Sequence, residues 1–275
     1  MGLTSVGQLL YAIGFLSLGA LGLIFDDYAM NWQPVPSWFP AHDALAYLSA
    51  LLLFGSAVGL LIRRVQIGAC IVLTGFLLLW LVALRIPPLL TDFVSAINWL
   101  GFAETLEMVT GGWILIGAFT NANPQSRFTW IARPGNLRIA TLLFGASLPL
   151  IGLSHFVYAK ETAQMIPDWF PARLDLAYLT GGGHIAAGIA VLLNVLPRLA
   201  VTLETCMMGS FVLLLHIPAV ISDPTSRFQW TMLSVATAIT GAAAIVAKQF
   251  ANRPWGLDSM ARSKPAVKAP NVAQT

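Results

Sequence analysis

Long apolar runs, each about as long as a membrane is thick, constrain this chain more than any other feature. Eight can be read: about Leu9 to Phe25, Ala41 to Ile62, Gln66 to Pro87, Trp99 to Phe119, Ile139 to Tyr158, Ala172 to Leu196, Leu199 to Ala219 and Trp230 to Ala247. A hydrocarbon core about 30 Å thick takes about 20 residues of helix to cross. Lipid offers no partner for a backbone amide, so segments this apolar must satisfy their own amides as helices. The absence of alternating polar positions argues against a barrel. Only 10% of the residues are charged, where a soluble domain carries about a quarter, so the solvent is membrane lipid. The expected fold is all-α, a multi-pass transmembrane helical bundle.

The basic residues orient it. With the N-terminus inside, Arg63, Arg64, Arg127, Arg133, Arg138, Arg198, Lys248, Arg253, Arg262, Lys264 and Lys268 are cytoplasmic, and only Arg85, Lys160, Arg173 and Arg227 lie on the far side. This bias predicts a multi-pass membrane protein with both termini in the cytoplasm. A net charge of +3, placed where topology alone would put it, implies no nucleic-acid partner. No basic residue precedes the first apolar run, so a removable signal peptide is not expected. Cys70 and Cys206 sit singly in apolar segments and read as small buried hydrophobes.

An internal repeat organises the segments. Val35 to Ser49 (VPSWFPAHDALAYLS) and Ile166 to Thr180 (IPDWFPARLDLAYLT) are identical at nine of fifteen positions, 131 residues apart. The same offset aligns Ile86-Pro87 with Ile217-Pro218, Asp92 with Asp223 and Trp99 with Trp230. Eight helices then form two parallel four-helix repeats, because an even number of spans per copy keeps both copies in one orientation. Residues 1–120 make the first repeat, 121–138 a cytoplasmic linker, 139–250 the second repeat and 251–275 a disordered cytoplasmic tail. Parallel copies disfavour an inverted-repeat, alternating-access transporter. In each Trp-Phe-Pro turn the prolines forbid a long helix, and Trp38 and Trp169 suit the headgroup boundary or a lid over a cavity. The second proline, Pro40 or Pro171, is expected in the first turn of the next helix.

Trp169-Phe170-Pro171, Leu176 to Gly181 and His184 to Gly188, with His155-Phe156 upstream, resemble the DoxX-like family of bacterial membrane proteins. Pro36 to Leu48 carry the resemblance more weakly into the first half. It implies a four-helix unit. The family takes its name from a subunit of a thiosulfate:quinone oxidoreductase, so the resemblance also implies quinone-linked membrane redox chemistry. This chain departs from the pattern by fusing two units, with Leu53 where the second has His184 and Ile24 or Phe25 where the second has His155.

Ionisable groups inside a membrane are costly and usually face the bundle interior, so they are the first place to look for function. His184 lies about 18 Å along its helix, near mid-bilayer, after three glycines that admit a neighbouring helix or a flat ligand. Glu104 and Glu107 share one helix face, and two carboxylates so close resist carrying two charges at once. Arg85 is the obvious partner for them. These three are the candidate catalytic groups His184, Glu107 and Glu104, and His155, His184, His216, Arg85, Trp38 and Trp169 are the candidate ligand-binding residues. If the repeats pack about a pseudo-axis, the three histidines, both glutamates and Arg85 line one outward-opening cavity. Glu204 stands apart, on the cytoplasmic side, with Arg198 or a backbone group as its expected partner. No Glu-x-x-His motif is present, and no metal is expected.

Three readings follow. The chain is a subunit of quinone-linked redox chemistry with a redox partner subunit, or a carrier or binding protein for a small lipophilic molecule or proton, or a structural scaffold. Quinone is the cofactor of the first reading only.

Overall fold

The computed structural model describes residues 3–123 and 125–256. Nine helices and no strand occur among the described residues: α1 (Leu3–Phe25), α2 (His42–Leu61), α3 (Gln66–Thr91), α4 (Ala96–Asn121), α5 (Pro134–Val157), α6 (Ala159–Met165), α7 (Arg173–Leu192), α8 (Pro197–Ser222) and α9 (Arg227–Gln249). Six of them, α1, α2, α3, α5, α8 and α9, are long and apolar enough to cross a membrane. The two other long helices, α4 and α7, fall short in hydropathy, and they carry Glu104, Glu107 and His184. The chain is thus built as an integral membrane protein.

Each long helix packs against the next in the chain, and α9 closes the circuit on α1. α4 and α9 also meet across the middle. This leaves two rings that share the α4–α9 edge, one completed by α1, α2 and α3, the other by α5, α7 and α8. Ser, Thr, Ala and Gly dominate the buried positions of α9, including Ser234, Ala238, Gly241 and Ala242. Small residues let backbones approach closely where lipid supplies no hydrophobic drive between helices.

Several local features recur 131 residues apart. Both α3 and α8 contain a π-helical turn, at Leu81–Arg85 and Val212–His216. Pro87 and Pro218 explain it: a proline ring clashes with the carbonyl four residues back, here that of Ala83 or Leu214, and inserting one residue into the turn relieves the clash. The N–H of Ile86 accordingly bonds the carbonyl of Leu81, and that of Ile217 the carbonyl of Val212. The indole N–H of Trp99 donates to Phe93 O (2.8 Å) and that of Trp230 to Pro224 O (2.9 Å).

The Trp-Phe-Pro turns correct one expectation. Neither Pro40 nor Pro171 enters a helix; Ala41 (φ 54°) and Ala172 (φ 52°) intervene in the left-handed conformation, and the helices begin at His42 and Arg173. The turn closes first, through Phe39 N–H to Pro36 O and Phe170 N–H to Pro167 O, and the left-handed residue then redirects the chain. Both turns lie at one end of the bundle. The α1–α2 loop meets Arg227 at the start of α9, and Phe170 shares a cavity with Met232, also near that start.

The expected linker is shorter than 121–138, because α5 already starts at Pro134. Of the expected disordered tail, residues 257–275 lie outside the described residues. Residues 251–256 fold back instead, with Arg198 donating to Arg253 O (3.0 Å) and stacking 4.0 Å from the Trp255 ring.

Candidate functional site

A cavity of about 690 Å³ opens among α4, α5, α6, α7, α8 and α9, with mostly aliphatic and aromatic walls. Its polar lining includes His155, His184, His216 and Glu104. Four of the candidate residues therefore come together in one place, from four helices. Most hydroxyls around it, those of Ser154, Thr180 and Ser210, are bonded to carbonyls of their own helices. The imidazoles and the Glu104 carboxyl are thus left to meet a ligand.

Close backbone approach brings two of the histidines together. A Cβ on Gly152 of α5 would lie 2.5 Å from the carbonyl oxygen of Gly181 on α7, so these positions admit only glycine. The same contact sets the His155 and His184 rings 5.0 Å apart, each also beside Phe211. His155 Nδ1 lies 3.0 Å from Ile151 O. A carbonyl only accepts, so Nδ1 carries a proton there. Gly182 faces open space, and Gly183 is approached by Met207 of α8.

His184 is wholly buried, and its Nδ1 lies 2.7 Å from Oε1 of Glu204, itself 2% exposed. Glu204 was expected to stand apart with Arg198, and that is corrected. α8 runs antiparallel to α7 and turns Glu204 inward, level with His184, while Arg198 turns to the chain after α9. With Nε2 also protonated, one proton on the line between Nδ1 and Oε1 leaves the pair without net charge, whichever of these two atoms holds it, and that lets it sit away from water. His184 Nε2 and Glu204 Oε2 are buried with no hydrogen-bond partner. The sequence signal was partial: the 131-residue register sets Leu53 against His184 and Leu73 against Glu204, marking each as a departure from an apolar counterpart but not the two as partners.

The remaining candidates are dispersed. Glu107 is buried on α4, outside the cavity wall, with Oε2 unpartnered and with Glu204 and Glu104 as its electrostatic neighbours. Arg85 was the expected ion-pair partner of the glutamates. Its Nη2 instead donates to Trp32 O (2.5 Å), and among the described residues it has no carboxylate within ion-pair distance. The guanidinium lies across the bare backbone of Gly101, which carries it past Glu104 to the α1–α2 loop. Trp38 and Trp169 are 78% and 67% exposed at the bundle end, away from the cavity wall. Among the described residues no three His, Cys, Asp or Glu side chains are grouped to hold a metal.

No family model, curated protein or solved structure matches the chain.

Proposed function

We propose that this integral membrane protein binds a small lipophilic molecule in the cavity beside His184. It is read as two tandem four-helix units of DoxX-like kind, crossing a bacterial inner membrane eight times with both termini cytoplasmic. The recurrence of π turns, left-handed alanines and tryptophan bonds at one offset supports the two-unit reading.

One observation carries the binding reading. About 690 Å³ of space with apolar walls and a few convergent polar groups has the size and character of a ligand pocket. A scaffold needs no such void, since unfilled space forfeits packing. The residues present fit a ring that bears oxygen acceptors, such as a quinone. Phe211 and the aliphatic walls would hold the ring, and His184 or His216 would donate to its oxygens. Bound there, a quinone supplies reversible two-electron chemistry, and the chain's own contribution is to orient it, exclude water and hold protons at the imidazole nitrogens.

Purification from native membrane followed by solvent extraction and mass spectrometry tests the binding reading. A lipophilic compound should accompany the wild type in near-equal amount and be lost from His184→Leu and Phe211→Trp. Equal recovery from all three, or no saturable binding of a short-chain quinone to the wild type, would remove it. A second reading, a subunit of quinone-linked redox chemistry, is favoured by His184 at the cavity wall with Glu204 hydrogen-bonded behind it. It requires a partner subunit to exchange electrons and predicts a quinol-dependent optical signal that His184→Ala abolishes.

A further inference from the structure

A second cavity, of about 350 Å³, lies between α7 and α8. It touches Gly183, Ala186 and Ala190 of α7, and Leu199, Leu203 and Glu204 of α8. The first cavity touches the other half of α7, at Leu176, Thr180 and His184. The two share no residue, and they lie toward opposite ends of a helix about 30 Å long. His184 is on the wall of one and Glu204 on the wall of the other, and a 2.7 Å hydrogen bond joins these two side chains. Their outward atoms, His184 Nε2 and Glu204 Oε2, are the ones left without partners.

We propose that the His184–Glu204 pair is a proton gate that connects the two cavities across the membrane. The uncharged pair holds two protons, one on Nε2 and one shared between Nδ1 and Oε1. With the shared proton on Oε1, rotation of the carboxyl turns it toward the second cavity, where it passes to water. The imidazole, left with one proton, turns it to the carboxylate by a ring flip, and its bare nitrogen takes a proton from the first cavity, which restores the starting state. One proton leaves and one enters. With His184 0% and Glu204 2% exposed, no continuous water file passes, so the route carries protons and excludes metal cations. The other ionisable groups that face the pair are His155 from α5, Glu107 from α4 and His216 from α8 itself. The ionisable residues of α9, Arg227 and Lys248, are at its ends. His155 is placed to feed the imidazole from the first cavity. The inference does not depend on which molecule the first cavity holds.

The test is proton flux into proteoliposomes of the full-length protein, driven by a valinomycin-clamped potassium gradient and read with an internal pH dye. Wild type should exceed protein-free vesicles. Glu204→Gln keeps the shape and a hydrogen bond but cannot carry a proton, and should lose about 100-fold, the scale of a missing acid–base group. Glu204→Asp should retain part of the flux. Ala190→Phe, which fills the second cavity without touching the pair, should also block it and stands in if Glu204→Gln fails to fold. Wild-type flux equal to that of protein-free vesicles, or undiminished flux in Glu204→Gln or Ala190→Phe, overturns the gate. Short-chain quinone binding measured on the same samples separates this outcome from failure of the binding reading, since Ala190→Phe, which lies on the second cavity only, should still bind.

Discussion

Around Trp32 the space inside the α1–α4 ring is filled with rings, whereas around His184 the corresponding space is hollow. Trp32 is 5% exposed and packs edge-on to Trp80 (centroids 5.0 Å) and near Phe15 (6.2 Å), with its carbonyl held by Arg85. In the 131-residue register Trp80 answers to Phe211, Arg85 to His216, and Leu53 and Leu73 to His184 and Glu204. Leu53 and Leu73 are both buried in the apolar core. The comparison teaches that helices in this register pack without a His–Glu pair and without a void. What the second region gives up in packing it keeps as a site.

The largest effect that could break this comparison comes from converting the second region into the first. His184→Leu or Glu204→Leu alone should cost about 3–5 kcal/mol, because each leaves a buried polar partner uncompensated. The double variant restores the Leu–Leu arrangement of the first region and should return to within about 1 kcal/mol of wild type, since a well-packed apolar replacement of a buried pair is often neutral. Reversible unfolding in mixed micelles measures all four species. A double variant as unstable as the sum of the two singles would show that the pair is not interchangeable with leucines and that the two regions are not alternatives of one design.

The converse experiment hollows the first region. Trp32→Ala should destabilise by about 3–5 kcal/mol through the cavity it leaves. The Arg85 bond should survive, because it is made to the backbone carbonyl. If the register is meaningful, the new space accepts a second lipophilic molecule, and the bound stoichiometry rises from one to two. An unchanged stoichiometry would limit the comparison to packing.

Much of this was legible before any coordinates. Apolar run length pointed to an all-helical membrane protein, and six helices are long and apolar enough to cross a membrane, because a membrane-length helix is specified by composition alone. His184, His155, His216 and Glu104 were legible as interior groups because ionisable residues are so rare in these segments. The pairing of His184 with Glu204 was not, since it depends on the antiparallel register of α7 and α8, and a charge-count view of Glu204 pointed to Arg198. Trp32 carries no signal of its own in the sequence, and only its packing against Trp80 reveals a plug. The π turns were implicit in Pro87 and Pro218, but a proline can kink or end a helix as readily as insert a residue.

A milder change sharpens the comparison at the site itself. Phe211→Trp gives the second region the ring that the first has at Trp80. Filling space that is already empty should leave stability within about 1 kcal/mol of wild type, against the 1–3 kcal/mol that the same enlargement costs in a full core. Ligand affinity should fall about tenfold, or ~1.4 kcal/mol. Calorimetric titration of a short-chain quinone against both proteins reads the difference, and unchanged affinity would place the ligand elsewhere.

The smallest effect concerns how the plug is held. Arg227 donates to Asp27 (3.1 Å) and to the Tyr28 carbonyl, and so ties the start of α9 to the loop that carries Trp32. Its register counterpart in the first half is Ala96, which can make no such tie. The pair is half-buried, so Arg227→Ala should cost no more than about 1 kcal/mol, and less at high salt. The more telling readout is local. Amide exchange over Tyr28 to Gln33 should rise while that of the α5–α7 connection stays unchanged, because only the first loop loses an anchor. Burial, and then the Asp27 charge, push the Tyr28 phenol above its ordinary range. The unfolded phenol therefore ionises first, and the loop loses protection as pH rises past about 10. Uniform exchange across both loops in the variant would mean that Arg227 supports the bundle as a whole, and that the first region's plug stays shut by aromatic packing alone.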